Sequence, residues 1–311
     1  MPPWQSDCHL VTTCDVVGIG ENSVDLVYRV PHLPGSGEKV RAGSCRRLLG
    51  GQVATTLATC AALGLRTRYV GAFGNDDHGR LIRSELEQRG IDTTYATVRY
   101  APNRHAVILV DEQTGDRIVV WQRDALLQIN PGDLPDDVLA GSRVLHLDNV
   151  DEDAAIVAAE RGRAAGLMVT TDIDEVRPRT PELIAAASFP ILAERVPQAL
   201  TGETDPVRAL RALRGRHNGM LCVTLGTRGS MLLAGDRLYE APAFRVDAVD
   251  TTGAGDVFRG AVIVSLLRGD APDAMLHFAN AAAAISCTRE GAIGGVPNLH
   301  EINGLIGERP T

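Results

Sequence analysis

Asp250-Thr251-Thr252-Gly253-Ala254-Gly255-Asp256 runs directly into the apolar stretch Val257 to Leu267. The pattern reads as a tight glycine bend opening a helix. The first turn of a helix holds backbone N–H groups without intrahelical partners, at the positive end of the macrodipole. Gly253, Ala254 and Gly255 carry too little bulk to keep an anion away from those groups, so the turn suits a phosphate. Asp256 follows at once, placed to take a proton from an attacking hydroxyl while the amides stabilise a transferring phosphoryl group. The plain alternative is an ordinary N-cap, with Thr252 or Asp256 closing the first turn. A cap needs one small polar residue, however, and this stretch supplies two carboxylates, two threonines and a Gly-Ala-Gly bend.

The rest of the chain narrows the chemistry. With 311 residues, 44% of them hydrophobic and 23% charged, it can bury one large core, and a single domain over residues 1–311 is expected. A formal charge of −8 and the lack of any long basic run argue against a nucleic-acid partner. Cys8, Cys14, Cys45, Cys60, Cys222 and Cys287 show no C-x-x-C spacing, which leaves neither a zinc site nor a disulfide framework and makes most of them small core residues. Lys39 is the only lysine. A Walker A loop and a protein-kinase phosphate lysine are therefore excluded, and any phosphate must be gripped by backbone and arginine. The N-terminal segment around Asp7 lacks a basic, apolar leader, and no apolar run approaches the ~18 residues of a membrane span, so a cytoplasmic protein without a membrane partner is expected.

Gly18-Ile19-Gly20, after the apolar Val16-Val17, invites a dinucleotide-binding reading. It fails at Ser23, where a third glycine belongs, and the chain continues into strand-like Asp25-Leu26-Val27 instead of a helix. From about 27 to 49 and from about 97 to 120, short apolar–polar alternations are broken by prolines and glycines, the pattern of a small sheet buried on one face. Elsewhere helix and strand patterns alternate: Gln52 to Leu63, Thr67 to Val70, Gly79 to Arg89, Val144 to Leu147, Asp153 to Ala165, Met168 to Thr171, Pro206 to Arg214 and Met220 to Leu225. That alternation predicts an α/β fold with a doubly wound, mostly parallel sheet flanked by helices. Two long helices, Gly255 to Leu267 and Pro272 to Ser286, close the chain, the second carrying Ala281 to Ala284 for close packing.

The segment 250–256 matches the D-T-x-G-A-G-D signature of the ribokinase-like, or PfkB, family of carbohydrate kinases, and the chain resembles that family from Val16-Val17-Gly18 to Cys287-Thr288-Arg289-Glu290-Gly291-Ala292. The resemblance implies an ATP- and magnesium-dependent kinase of a small sugar, with the two strand regions forming a lid. Asp256 would be the catalytic base and Gly253, Ala254 and Gly255 the anion hole. For the sugar it implies Asn22 and Asp25 after the first strand, and Gly50 and Gly51, which resemble a G-G-x-x-x-N signature. Thr55 stands where that signature has asparagine, so one usual sugar contact is weakened or replaced.

For the nucleotide, Thr224-Leu225-Gly226-Thr227-Arg228-Gly229 resembles the family's T-x-G-x-x-G, and Asn280 and Ala283 fall where relatives meet adenine. An exposed helix asparagine competes for Asn280. Ala193-Glu194-Arg195-Val196 departs from the family's N-x-x-E, leaving Glu194 to serve magnesium through water, or the nucleotide itself to hold the ion. Asp250, Thr252 and the backbone of 287–291 correspond to a potassium loop of some relatives. Arg29, Lys39, Arg41, Arg104 and Arg123 lie in or near the lid regions, where an anionic substrate group would meet them. The Thr55 and Ala193 departures and the Cys287-Thr288-Arg289 ending resemble the branch acting on ketohexoses and their sulfonated analogue. A nucleoside kinase and a sugar sensor remain the competing readings. The lid's exposed edges imply a homodimer formed lid to lid.

Overall fold

The computed structural model describes residues 14–215 and 217–307; Asp7 and Cys8 lie outside them. The chain begins β1 (Val16–Ile19), β2 (Ser23–Val30), β3 (Ser44–Gly50), α1 (Gln52–Ala62), β4 (Thr67–Val70), β5 (Ala72–Gly74) and α2 (Asp77–Gln88). It continues through β6 (Thr97–Arg99), β7 (His105–Asp111), β8 (Arg117–Gln122), β9 (Val144–Asp148), α3 (Glu152–Ala164), β10 (Met168–Ile173), α4 (Thr180–Ala186) and β11 (Phe189–Ala193). The last part comprises α5 (Arg195–Thr201), α6 (Pro206–Arg214), β12 (Leu221–Thr224), β13 (Ser230–Ala234), β14 (Arg237–Ala241), α7 (Ala254–Arg268), α8 (Pro272–Ser286) and α9 (Leu299–Gly307).

An 8-stranded sheet in the order β14-β13-β12-β11-β10-β9-β1-β4 forms the core. It is parallel from β12 to β4 and turns antiparallel only at the β13–β14 edge. Helices cover both faces, so the central strands are apolar runs without polar alternation. Alternate residues of β1 feed the two cores. Val16 joins α1, α7 and α8, while Val17 and Ile19 join α3, α4 and α6. Gly18 is a packing residue here, since a Cβ on it would lie 2.6 Å from Val53 Cγ1 of α1. α7 is buried from Val257 to Leu266 on every side, as expected of a helix wedged between a sheet and other helices.

Element boundaries follow local chemistry. α2 starts two residues before Gly79 because Asp76 caps it, accepting from the Gly79 N–H at 2.9 Å. α6 opens on Pro206 with Asp205 accepting from the Arg208 N–H at 2.8 Å. The reading of the sequence passed over β11, whose Pro190 interrupts a strand pattern, and the β13–β14 hairpin. Cys14, Cys60 and Cys222 are buried thiols, as expected, whereas Cys45 is exposed.

A separate 4-stranded sheet, β3-β2-β7-β8, stands over the C-terminal edge of the core strands. Its second strand region runs from His105 to Gln122, not from residue 97 to 120, because Thr97–Arg99 pairs in parallel with β5 instead. Asn103 fixes that switch: its Oδ1 accepts from the Gly74 N–H at 2.9 Å and its Nδ2 donates to Asn22 Oδ1 at 3.0 Å. Among the described residues no helix is long and apolar enough to cross a membrane.

Candidate active site

The C-terminal ends of parallel strands, where ligands bind in open α/β sheets, meet the small sheet across a cavity of about 510 Å³. Glu21 follows β1, Val150 follows β9, and Asp174, Glu175 and Arg177 follow β10. The small sheet contributes Ser23, Asp25 and Trp121, with Arg104 and Arg123 flanking it, and the N-termini of α1 and α7 contribute Gly51, Gln52 and Asp256.

Gly253 opens α7 with φ 78°, a left-handed turn that glycine adopts without strain, and a Cβ there would lie 2.4 Å from Ala292 Cβ. Ala254, Gly255 and Asp256 fill the first turn, so the unpaired N–H groups and the carboxylate are presented together. Thr56 Oγ1 on α1 donates to the Asp256 carbonyl at 3.1 Å and ties the two helix ends. The Asp256 carboxyl is held well above the usual carboxylate range, first by burial and next by the charge of Asp172, with Arg259 opposing.

Gly51 caps α1 with φ 97°, and a Cβ on it would strike Asn22 Cα at 2.4 Å. Gly50 and Asp25 face each other, Asp25 Oδ2 lying 3.6 Å from where a Gly50 Cβ would stand. The other Asp25 oxygen accepts from Ser23 Oγ at 2.8 Å, and Arg104 sits 4.0 Å away. Burial raises the pKa of Asp25 and of Glu21 alike, and Asp148, beneath the β1 turn, is pushed up to about 8 by burial and by the Glu21 charge. Asp148 accepts from the N–H groups of Glu21 at 2.6 Å and Val150 at 3.1 Å.

The cavity's arginines are already paired. Arg104 forms an ion pair with Glu21 at 2.9 Å, Arg123 bonds Asp151 at 2.6 Å and approaches Glu21 at 3.5 Å, and Arg177 forms an ion pair with Glu175 at 2.6 Å.

Not every candidate reaches the cavity. Asn22 spends its amide on Tyr69 Oη and the Ala72 carbonyl, both at 2.8 Å, and its oxygen on Asn103, so it braces the β1 turn. Thr55 is fully buried within α1 with its hydroxyl unpaired, and Gln52 lines the cavity from that helix instead. Lys39 and Arg41 are exposed on the connection between β2 and β3, and Arg29 pairs with Glu290 at 3.2 Å.

Thr224 ends β12, and Gly226 (φ 57°) and Gly229 (φ 96°) make the turn into β13. A Cβ on Gly229 would lie 2.0 Å from the Ala241 carbonyl. Asn280 is buried rather than exposed; it accepts from Ser230 Oγ at 3.0 Å and donates to the Ala241 and Pro242 carbonyls at 3.0 and 3.1 Å, which ties α8 to the hairpin and leaves no N–H for a base. Ala283 on the same helix is half-buried. Glu194 sits beside this turn, its N–H donating to the Thr224 carbonyl at 3.2 Å and its carboxylate engaging Arg228.

Among the described residues no three His, Cys, Asp or Glu side chains cluster to hold a metal. Glu194, expected to serve magnesium, has its carboxylate engaged by Arg228. Asp250 takes the Thr252 and Gly291 N–H groups, each at 2.9 Å, so its side chain joins the 250–252 and 287–291 turns.

A family model for pfkB family carbohydrate kinases matches residues 14–299. The chain belongs to the pfkB family of carbohydrate kinases. Members of this class are phosphotransferases with an alcohol group as acceptor, which agrees with a carboxylate beside a helix-start anion hole. The chain is similar to a ribokinase of Bacillus subtilis, 29% identical over 93% of this chain and 98% of that protein. It is also similar to an aminoimidazole riboside kinase of Salmonella typhimurium, 30% identical over 93% of each. Among solved structures, Arabidopsis thaliana ribokinase complexed with ribose and ATP superposes with a TM-score of 0.83 at 26% identity, covering 95% of this chain and 99% of that one. The α/β core with its small sheet is thus the ribokinase fold.

Proposed function

We propose that this pfkB kinase transfers the γ-phosphoryl group of ATP to a primary hydroxyl of a small neutral sugar, a ketohexose or related furanose. The observation that carries the reading is Asp256 in the first turn of α7, facing a cavity rich in carboxylates whose three arginines are each already paired. Carboxylates accept hydrogen bonds from hydroxyls, and paired guanidiniums leave little uncompensated positive charge for an acidic substrate. Asp25 and Gln52 would hold the sugar. As the hydroxyl oxygen bonds to the γ-phosphorus its proton passes to Asp256, the bond to the β-phosphate oxygen breaks, and ADP leaves. The Gly253–Gly255 amides bear the developing charge.

ATP would lie across the Thr224–Gly229 turn, and its phosphates would carry the magnesium, with Glu194 touching it through water. The junction of the 250–252 and 287–291 turns is the candidate potassium site. The small sheet acts as a lid that keeps water from competing as nucleophile. Its β8 edge exposes Val120 at 64% and Trp121 at 60%, which supports pairing of two lids in a homodimer. The free thiols of the described cysteines fit a reduced, cytoplasmic setting.

Trp121 over the cavity also gives a nucleoside something to stack on, and this favours it as the second reading. ADP release with magnesium ATP across ketohexoses, aldopentoses, acidic sugars and nucleosides, with and without potassium, separates the two. Asp256→Asn should keep sugar affinity and lose turnover by about 10²-fold or more. Unchanged turnover would remove Asp256 from the mechanism.

A further inference from the structure

Directly behind Asp256, away from the cavity, two charged side chains are buried where charge is costly. Arg259, one helical turn along α7, places a guanidinium nitrogen 2.8 Å from Asp172 Oδ1 on β10, and the two side chains are 3% and 1% exposed. A second guanidinium nitrogen lies 2.6 Å from where a Cβ on Gly255 would stand, so the cation sits under the anion hole and a side chain at 255 would displace it. Asp172 in turn faces the Asp256 carboxyl and the Gln52 amide. Neither Asp172 oxygen has a hydrogen-bond donor aligned with it, and two ionised carboxylates cannot donate to each other. The Asp172 charge therefore opposes ionisation of Asp256, and Arg259 offsets it.

Desolvating both members of a buried ion pair can cost more than their attraction returns, so such a pair is weakly explained by stability alone. Neither residue lines the cavity, so neither meets substrate. We infer that Asp172 and Arg259 are a positioning pair that holds the Asp256 carboxylate toward the acceptor hydroxyl and governs the pH at which it becomes charged. This rests on the reading of Asp256 as the base.

Asp172 and Asp174 face Asp256 from β10 and the turn after it, and Arg259 from its own helix. Beyond Arg259 stand His146 on β9, held neutral by burial that pushes it down to about 3, and the Cys222 thiol on β12, pushed up to about 12. Across the cavity Asp256 also faces Glu21, Asp25, Glu175, Arg104, Arg123 and Arg177, which none of the variants below changes.

The experiment is the pH dependence of kcat, with sugar KM and thermal unfolding followed alongside, for wild type, Asp172→Asn, Arg259→Met, Arg259→Lys and Asp256→Asn. Removing the Asp172 charge should move the acidic limb of kcat to lower pH by about one unit, and removing the Arg259 charge should move it to higher pH by a similar amount. Arg259→Lys should restore the limb to within a few tenths, and sugar KM should change less than about threefold throughout. A structural defect would lower activity at every pH without opposing shifts. If Arg259→Met does not fold, the Asp172→Asn limb decides alone. Limbs that stay in place, or move the same way, overturn the inference. Full turnover by Asp256→Asn would instead mean that the underlying assignment of the base is at fault.

Discussion

The 8-stranded core sheet and the 4-stranded small sheet solve the same problem of strand pairing under opposite conditions. β9 and β10 are buried at every residue, whereas β8 is exposed at every residue. In the core a polar side chain must be paired or must do something, and of those buried on β9 and β10, His146, Thr170 and Thr171 among them, the charged Asp148 and Asp172 lie at the strand ends beside the cavity-lining Val150 and Asp174. On the small sheet polar and apolar residues cost little either way, and what is fixed is the face toward the core. Burial therefore points to the chemistry in one region, and only position relative to the cavity does so in the other.

The largest way to break this contrast is by volume. Leu145 on β9 is fully buried, and Leu145→Ala should cost about 2–5 kcal/mol in urea unfolding. Val119→Ala on β8 should stay within about 0.5 kcal/mol. A comparable loss at Val119 would mean that the β8 edge is covered in solution, as a lid-to-lid dimer would cover it, and dilution should then lower the apparent stability.

At the seam between the two regions, Gly51→Ala tests backbone rather than volume. Its φ of 97° and the 2.4 Å approach to Asn22 Cα leave no room for a methyl group. A loss of about 1–3 kcal/mol is expected, together with weakened sugar binding, because α1 must shift and carry Gln52 with it. Calorimetry with the sugar identified by the ADP-release panel would register both effects.

How much of this was legible depended on sequence distance. The anion hole and Asp256 lie within seven consecutive residues of one motif, so local reading found them. Helices α6 and α8 were read to their exact ends because Pro206 and Pro272 mark their starts. Thr55, at the asparagine position of a motif it departs from, and Asn22, beside Asp25, were expected at the sugar, but packing turned one into the core and spent the other on Tyr69 and Asn103. Arg123 was read as a partner for an anionic substrate, yet Asp151, after β9, had already taken it. Asp172 and Arg259 went unnoticed because nothing local joins a strand end to a helix far along the chain. A carboxylate one residue from the end of β10 and an arginine inside an apolar helix were the available signals, and they become a pair only in the fold.

The smallest expected effect is a slope. Asp148 ionises near pH 3.8 when unfolded but only at about 8 in the fold. Between these values the folded state binds more protons than the unfolded one, so stability falls as pH rises. His146 and His217, kept neutral by burial, act in the opposite sense, but only below their unfolded value of 6.5. Above pH 6.5 the carboxylates act alone, and urea unfolding should show wild type losing on the order of 1 kcal/mol by pH 8. Asp148→Asn keeps an oxygen for one of the two N–H groups and has no charge to acquire, so part of that slope should disappear, whatever the variant loses uniformly. Glu21, Asp25, Asp172 and Asp256, also raised by burial, account for what slope remains, whereas an unchanged slope would mean that Asp148 is already ionised in the folded state near neutral pH and that water reaches the core beneath the β1 turn.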